Sequence, residues 1–124
     1  MIHHISIGVR SIATTKAFYD AALAPLGYTA LRAGDTWIGY GQDRVEFSAR
    51  AAAHPVPSDP ESGLHICFVA PTRASVASFY ADALANGGHD NGAPGLRPDY
   101  SATYFAAYVI DPDGYRIEAY CSGE

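Results

Sequence analysis

An ungapped internal repeat constrains the fold of this chain more than any other feature of its sequence. The segment HISIGVRSIATTKAFYDAALAPLG, which begins at His4, aligns with HICFVAPTRASVASFYADALANGG, which begins at His65, at a constant offset of 61 residues. The initial histidines, a Phe-Tyr pair and a closing glycine coincide. Because two repeats are too few for a solenoid, we expect them to pack against each other as two halves of one domain.

Hydrophobic periodicity predicts a similar order of elements in the two halves. Alternating apolar residues predict strands over 2–9 and 64–69, and Ser11 and Thr72 are suitable N-caps for the helices that follow. Glycines and prolines over 89–102 predict a loop with at most a short strand. The other predicted strands cover 28–34, 36–41 and 44–49 in the first half, and TYFAAYVI and YRIEAY in the second.

These elements predict the fold class α+β, with two paired βαβββ modules in a single domain over residues 1–124. Module 1 spans about residues 1–50 and module 2 about residues 64–124, and the polar, proline-rich stretch 51–63 reads as the linker between them. We expect each helix to pack on one face of its sheet. The other face is then covered by the partner half or left open as a cleft.

Composition excludes several classes of function. A formal net charge of -5 argues against nucleic acid as a partner, and no apolar run approaches the ~18 residues of a membrane span. The N-terminal MIHHISIGV lacks the basic region and cleavage site of a signal peptide. The two cysteines are too few for a disulfide framework. We therefore expect a cytoplasmic protein with reduced thiols.

One acidic residue, Glu118, interrupts the apolar final strand of IDPDGYRIEAY. Strand alternation places its side chain on the face opposite its apolar neighbours, and it places His4, Glu46 and His65 on the more polar faces of three other strands. Imidazole and carboxylate suit Fe, Mn, Ni, Co or Zn, and two histidines with one carboxylate leave positions open for substrate. The equivalent places of the two histidines in the repeat favour ligation over the structural role usual for a lone strand histidine.

The motifs taken together carry a family resemblance. A histidine opens the first strand, Phe-Tyr lies in the following helix, LGY closes that helix, GLHI opens the second half and DPDGYRIEAY lies near the end. In this combination the chain resembles the vicinal oxygen chelate superfamily, which includes glyoxalase I, bleomycin-resistance proteins, fosfomycin-resistance enzymes and extradiol dioxygenases. The resemblance implies an open, barrel-like cup of paired modules around one site.

The resemblance also implies roles for individual residues. By position, His4, His65 and Glu118 would be the ligands of a divalent metal ion. Glu46 falls where glyoxalase-type members have a fourth ligand that also transfers a proton. The segment DNGAPGLRPDY looks like that of small bacterial members labelled glyoxalase-like, which identifies no substrate. Small members of the superfamily pair, and a sheet edge exposed by a short second module would favour a homodimer.

Two classes of function remain open. The first is a metal-dependent enzyme whose small substrate chelates the ion through adjacent oxygens, as a glyoxalase-like lyase or isomerase or as an extradiol-type dioxygenase. The second is a metal-free, bleomycin-resistance-like binding protein with aromatic walls. Retention of all the ligand residues favours the enzyme, and Glu46 favours the lyase or isomerase. Arg97 and Arg116 are candidate clamps for an anionic substrate. The candidate pocket residues are Trp37, Tyr40, Arg97, Tyr100, Tyr104 and Tyr108.

Overall fold

The fold is the predicted α+β arrangement of two βαβββ modules, seen in a computed structural model that describes residues 1–57 and 59–123. Residues 58 and 124, in the predicted linker and at the end of module 2, lie outside the described residues. Module 1 contains β1 (Ile5–Val9), α1 (Ile12–Leu23), a short 3-10 helix (Ala24–Leu26), β2 (Thr29–Ala33), β3 (Trp37–Gly41) and β4 (Phe47–Ala51). Module 2 contains β5 (His65–Val69), α2 (Arg73–Ala85), β6 (His89–Leu96), β7 (Tyr104–Ile110) and β8 (Arg116–Ser122).

Each module forms its own four-stranded sheet, with strand order β1-β4-β3-β2 in the first and β5-β8-β7-β6 in the second. The first strand of each module lies at a sheet edge and pairs in parallel with the last strand, and the remaining pairs are antiparallel. Neither sheet closes into a barrel. The equivalence predicted from the repeat is therefore confirmed at the level of topology.

The helices begin where the sequence predicts. The Ser11 side chain accepts a hydrogen bond from the backbone N–H of Thr14. Thr72 and Ser75 form a reciprocal capping box at the start of α2. Such caps satisfy backbone donors that have no partner within the first turn. No helix in residues 1–57 and 59–123 is long and apolar enough to cross a membrane.

Two predicted elements differ from the structure. The loop predicted over 89–102 is wrong, because β6 occupies eight of these residues and pairs with β7 through two register shifts. The strand tolerates Pro94 because it lies at a sheet edge, where a missing N–H costs little. Module 2 is therefore not abbreviated. In module 1, β4 begins at Phe47, so Glu46 precedes the strand that was predicted to contain it.

The two modules share one hydrophobic core, which lies on the helix side of both sheets. Phe47 of module 1 and Phe68 of module 2 pack edge to face, with their ring centroids 5.1 Å apart. The buried Tyr19 hydroxyl of α1 donates a hydrogen bond to Asp111, which follows β7. Because strand side chains alternate, the opposite faces of the two sheets point away from this core.

Candidate metal site and substrate pocket

His65 and Glu118 lie side by side on the outward face of the second sheet. They come from the neighbouring strands β5 and β8, and His65 Nε2 is 2.9 Å from Glu118 Oε1. Glu118 is only 4% exposed, although its neighbours Ile117 and Ala119 point to the other side, into the core. A charged group buried to this extent requires hydrogen-bonding partners.

Two further side chains donate to the Glu118 carboxylate. The Tyr104 hydroxyl lies 2.5 Å from Oε2, and the Cys67 thiol lies 3.2 Å from the same oxygen. The sequence predicted Tyr104 as a pocket residue and left Cys67 as either a pocket residue or an inert thiol, and neither was predicted to bond Glu118. Strand parity was the available signal, because Cys67 shares the face of His65 and is the register partner of Glu118.

Both donors keep their protons at neutral pH. Burial, and then the charge of Glu118, raises the pKa of the Cys67 thiol to about 12. Burial and the hydrogen bond to Glu118 likewise raise the pKa of Tyr104 well above its ordinary value. A protonated thiol is a poor metal ligand and nucleophile. Cys67 and Tyr104 therefore act as hydrogen-bond donors that orient Glu118.

A cavity lined by aromatic and charged side chains lies beside this cluster. The Tyr108 ring centroid is 6.0 Å from that of His65, and the guanidinium carbon of Arg97 is 5.1 Å from the Tyr108 ring centroid. Tyr100 packs on Tyr104 with centroids 4.9 Å apart. The cavity has a volume of about 340 Å³ and is lined by Asn91, Arg97, Pro98, Asp99, Tyr100 and Tyr108.

His4 directly precedes β1 and lies beside the outward face of the other sheet. Its Nδ1 is 2.8 Å from that of His3. The cavity beside it, of about 370 Å³, is lined only by residues of module 1: His3, His4, Ser6, Trp37, Val45, Ser48 and Arg50. Within residues 1–57 and 59–123, no three His, Cys, Asp or Glu side chains are grouped so that they could hold a metal ion. One chain therefore brings His65 and Glu118 together and leaves His4 apart.

Glu46 and Tyr40 also lie apart from the His65–Glu118 pair. The half-exposed Glu46 carboxylate is 3.8 Å from Arg44 and lines a third cavity, of about 390 Å³, between the two modules. Tyr40 is 1% exposed, because it sits on the core face of β3, and its hydroxyl donates to Asp20. Cys67 is the one residue of the Glu118 cluster that also lines this third cavity.

The donor chemistry of the cluster fits a divalent transition metal. A neutral imidazole and an ionised carboxylate are ligands of the required type, and a hydrogen-bonded carboxylate is common in such sites. Two protein ligands, however, are fewer than the three that catalytic sites usually provide. The third predicted ligand, His4, lies beside the other sheet.

Comparison with known proteins identifies the family. The family model described as the Glyoxalase/Bleomycin resistance protein/Dioxygenase superfamily matches residues 1–119. The chain belongs to this superfamily. No curated protein matches the chain.

Solved structures of the superfamily share the fold over nearly the whole chain. A glyoxalase/bleomycin resistance protein from Albidiferax ferrireducens is 29% identical, with a TM-score of 0.84 over 94% of this chain and 95% of that one. A glyoxalase-related enzyme from Fulvimarina pelagi is 19% identical, with a TM-score of 0.75 over 97% and 86%. A family enzyme from Burkholderia phytofirmans is 16% identical, with a TM-score of 0.72 over 96% of both chains. At the lower identities the likeness concerns the fold alone.

Proposed function

We propose that this protein is a glyoxalase-like, metal-dependent lyase or isomerase whose small substrate binds the metal through adjacent oxygens. The observation that carries the proposal is the contact of the exposed His65 imidazole with the buried Glu118 carboxylate, which is oriented by Tyr104 and lies beside a cavity of substrate size. Divalent metals are common in the superfamily. A metal bound here would act as a Lewis acid that stabilises negative charge on the substrate oxygens.

We infer that the third ligand comes from a second copy of the chain, in a homodimer. Each sheet turns its core face towards the other module, so the outward faces carrying His4 and His65 point away from their common core. Edge strands β1 and β5 expose the apolar residues Ile5 and Val69, which a second copy would cover. In this arrangement the partner's His4 completes the site formed by His65 and Glu118.

The same arrangement also assigns a function to Glu46. Glu46 and His4 belong to module 1, so both would reach the site from the second copy. The carboxylate of Glu46 would then move a proton between adjacent carbons of the bound substrate, as a general base. Tyr104 and Cys67 would hold Glu118 in place while this occurs.

Complementation between two inactive variants tests the proposal. His4→Ala retains His65 and Glu118, and His65→Ala retains His4, so each variant alone should lose most of its bound metal. A mixed dimer contains one intact site and one site that lacks both histidines. After subunit exchange, the mixture should recover about a quarter of wild-type metal content. Metal analysis of untagged protein provides the measurement, and full occupancy in either variant alone would refute the ligand assignment.

The exposure of Glu46 and its contact with Arg44 favour a second candidate, an extradiol-type dioxygenase. Such a site needs three ligands and makes no use of Glu46. Wild-type protein should be assayed with adducts of 2-oxoaldehydes and thiols and, separately, with catechols and Fe(II) in air. If the protein is a lyase or isomerase, Glu46→Gln should retain much of the metal and lose turnover. Catechol cleavage that is insensitive to this substitution would establish the dioxygenase instead.

A further inference from the structure

Arg97 presents a fixed positive charge in the cavity beside the His65–Glu118 pair. Its Nη2 donates to the backbone oxygen of Ala93 at 2.6 Å and its Nη1 to that of Leu96 at 3.3 Å. Within residues 1–57 and 59–123, no carboxylate lies within 4 Å of this guanidinium, although Asp99 lines the same cavity. These two hydrogen bonds use two of the five N–H donors and hold the side chain in place. The other donors remain available to a ligand.

The charge near the proposed site is opposite to that of the whole protein. The chain has a formal net charge of -5, yet the outward faces of the two sheets carry several arginines. Arg116 is the register partner of His65, and Arg50 lines the cavity beside His4. Asp99 lines the same cavity as Arg97, so attraction of an anion depends on the guanidinium itself, which has N–H donors that the described part of the chain does not use. The arrangement therefore favours an anion.

The walls of the same cavity favour a flat ligand. The Tyr108 ring packs with both neighbours, its centroid lying 5.1 Å from the Arg97 guanidinium carbon and 6.0 Å from the His65 ring centroid. The exposed Tyr100, which also lines the cavity, packs on Tyr104, and Tyr104 packs on Tyr120 with ring centroids 4.2 Å apart. Aromatic rings pack favourably on such surfaces at separations of about 4.5–7 Å.

We propose that the substrate is an aromatic carboxylate whose carboxylate is bound by Arg97 and whose ring packs against Tyr108 and Tyr100. This inference rests on the proposed function, because it assigns a second anchor to the same substrate. The adjacent oxygens of the substrate would face His65 and Glu118, and its carboxylate would lie on the Arg97 side of Tyr108. Arginine suits this role because its planar donors match the two oxygens of a carboxylate.

A metal-free binding experiment tests the carboxylate site by itself. Benzoate and its uncharged counterpart benzyl alcohol are titrated into the ¹⁵N-labelled protein, and amide chemical shifts of residues 95–108 are followed. Benzoate should bind more tightly, because a charge-assisted hydrogen bond contributes about 1.5–3 kcal/mol, or roughly 10–100-fold in affinity. Equal binding of the two compounds would overturn the proposal.

Variants of Arg97 measure its contribution to benzoate binding. Arg97→Gln should remove the preference for benzoate, and Arg97→Lys should retain part of it because the charge remains while the planar fork is lost. Arg32→Gln is the matched control, since this exposed arginine makes no side-chain hydrogen bond or ion pair in the described part of the chain and its loss changes the net charge equally. If Arg97→Gln and Arg32→Gln weaken benzoate binding alike, general electrostatic attraction explains the preference and Arg97 is not the anchor.

A second experiment uses the Zn²⁺-loaded protein and tests whether one ligand binds the metal and Arg97 together. Catechol offers adjacent oxygens alone, and 3,4-dihydroxybenzoate adds a remote carboxylate. Calorimetry should show tighter binding of 3,4-dihydroxybenzoate in the wild type, with the advantage lost in Arg97→Gln. Zinc and catechol binding without a carboxylate advantage would contradict this inference and leave the proposed function intact. Failure of zinc to bind would contradict the proposed function, and the benzoate titration would still decide the role of Arg97.

Discussion

Removal of the Tyr19 hydroxyl tests how the two modules are held together. This hydroxyl is fully buried and donates to Asp111 Oδ2 at 2.6 Å. The other carboxylate oxygen accepts from the backbone N–H groups of Asp113 and Tyr115, each at 2.9 Å. In Tyr19→Phe, Oδ2 is left buried without its donor. A hydrogen bond to a charged group contributes about 1.5–3 kcal/mol, so we expect the free energy of unfolding to fall by that amount near neutral pH.

The loss should depend on pH. Burial raises the pKa of Asp111 above its ordinary value of 3.8, while the Tyr19 hydrogen bond opposes the rise. Because the folded-state pKa of Asp111 is raised, the contribution of this group to stability is fully present below about pH 4. That contribution is lost as the pH rises through the folded-state pKa. The substitution removes an interaction that lowers this pKa, so the folded pKa rises further and the loss with increasing pH becomes larger. The difference between variant and wild type should therefore be greater near pH 7 than near pH 4.

The internal repeat supplies the control. Tyr80 is the repeat equivalent of Tyr19, and its hydroxyl donates to Asp90 at 2.8 Å, but this pair is exposed. Water can replace the missing donor there, so Tyr80→Phe should change stability much less. Urea unfolding of both variants and the wild type at the two pH values provides the measurement. Equal losses for the two substitutions, or a Tyr19→Phe loss that does not vary with pH, would contradict the role given to burial.

Two further predictions concern the site and the backbone. Tyr104→Phe should weaken metal binding by about 10–100-fold while the protein remains folded, because Glu118 loses a donor that orients it; unchanged affinity in a competition assay with a chelator would rule out this role. Gly41→Ala should destabilise the protein by several kcal/mol or prevent its folding, because the added Cβ would lie 1.8 Å from the backbone oxygen of Arg44. Gly34→Ala, where the nearest atom is 3.7 Å away, is the control; similar unfolding midpoints for these two variants would refute the expected clash.

Much of the fold could be predicted because the repeat, the caps and the strand alternation are local signals that agree with one another. Ser11 and Thr72 cap the helices as expected. The misassigned segment was β6, whose glycines and proline favour a loop locally. Its pairing with β7 is a tertiary interaction that no local pattern reports, and the two register shifts absorb the irregular residues.

The candidate site could be predicted less completely. Parity placed His65 and Glu118 on one side of their sheet, and the structure brings them within hydrogen-bonding distance. Parity says nothing about how two sheets face each other, so the separation of His4 from this pair was not visible in the sequence. Tyr40 illustrates a related limit: an aromatic residue in a strand looks the same whether it faces a cleft or the core, and here the buried side chain packs in the core and also lines the cavity between the modules.

The strand β8 is needed both to complete the second sheet and to form the candidate site. This strand is the last of the described elements in chain order, yet it lies inside its sheet, between β5 and β7, and it carries Glu118. Until it is present, β5 has no neighbour in the sheet and exposes an unpaired backbone edge. A nascent or proteolytically shortened chain that lacks β8 therefore cannot hold a half-formed version of the site. It would instead expose the sheet edges of β5 and β7, through which incomplete β-sheet proteins aggregate. The strand that ligand binding needs is therefore also the strand that protects the chain from aggregation.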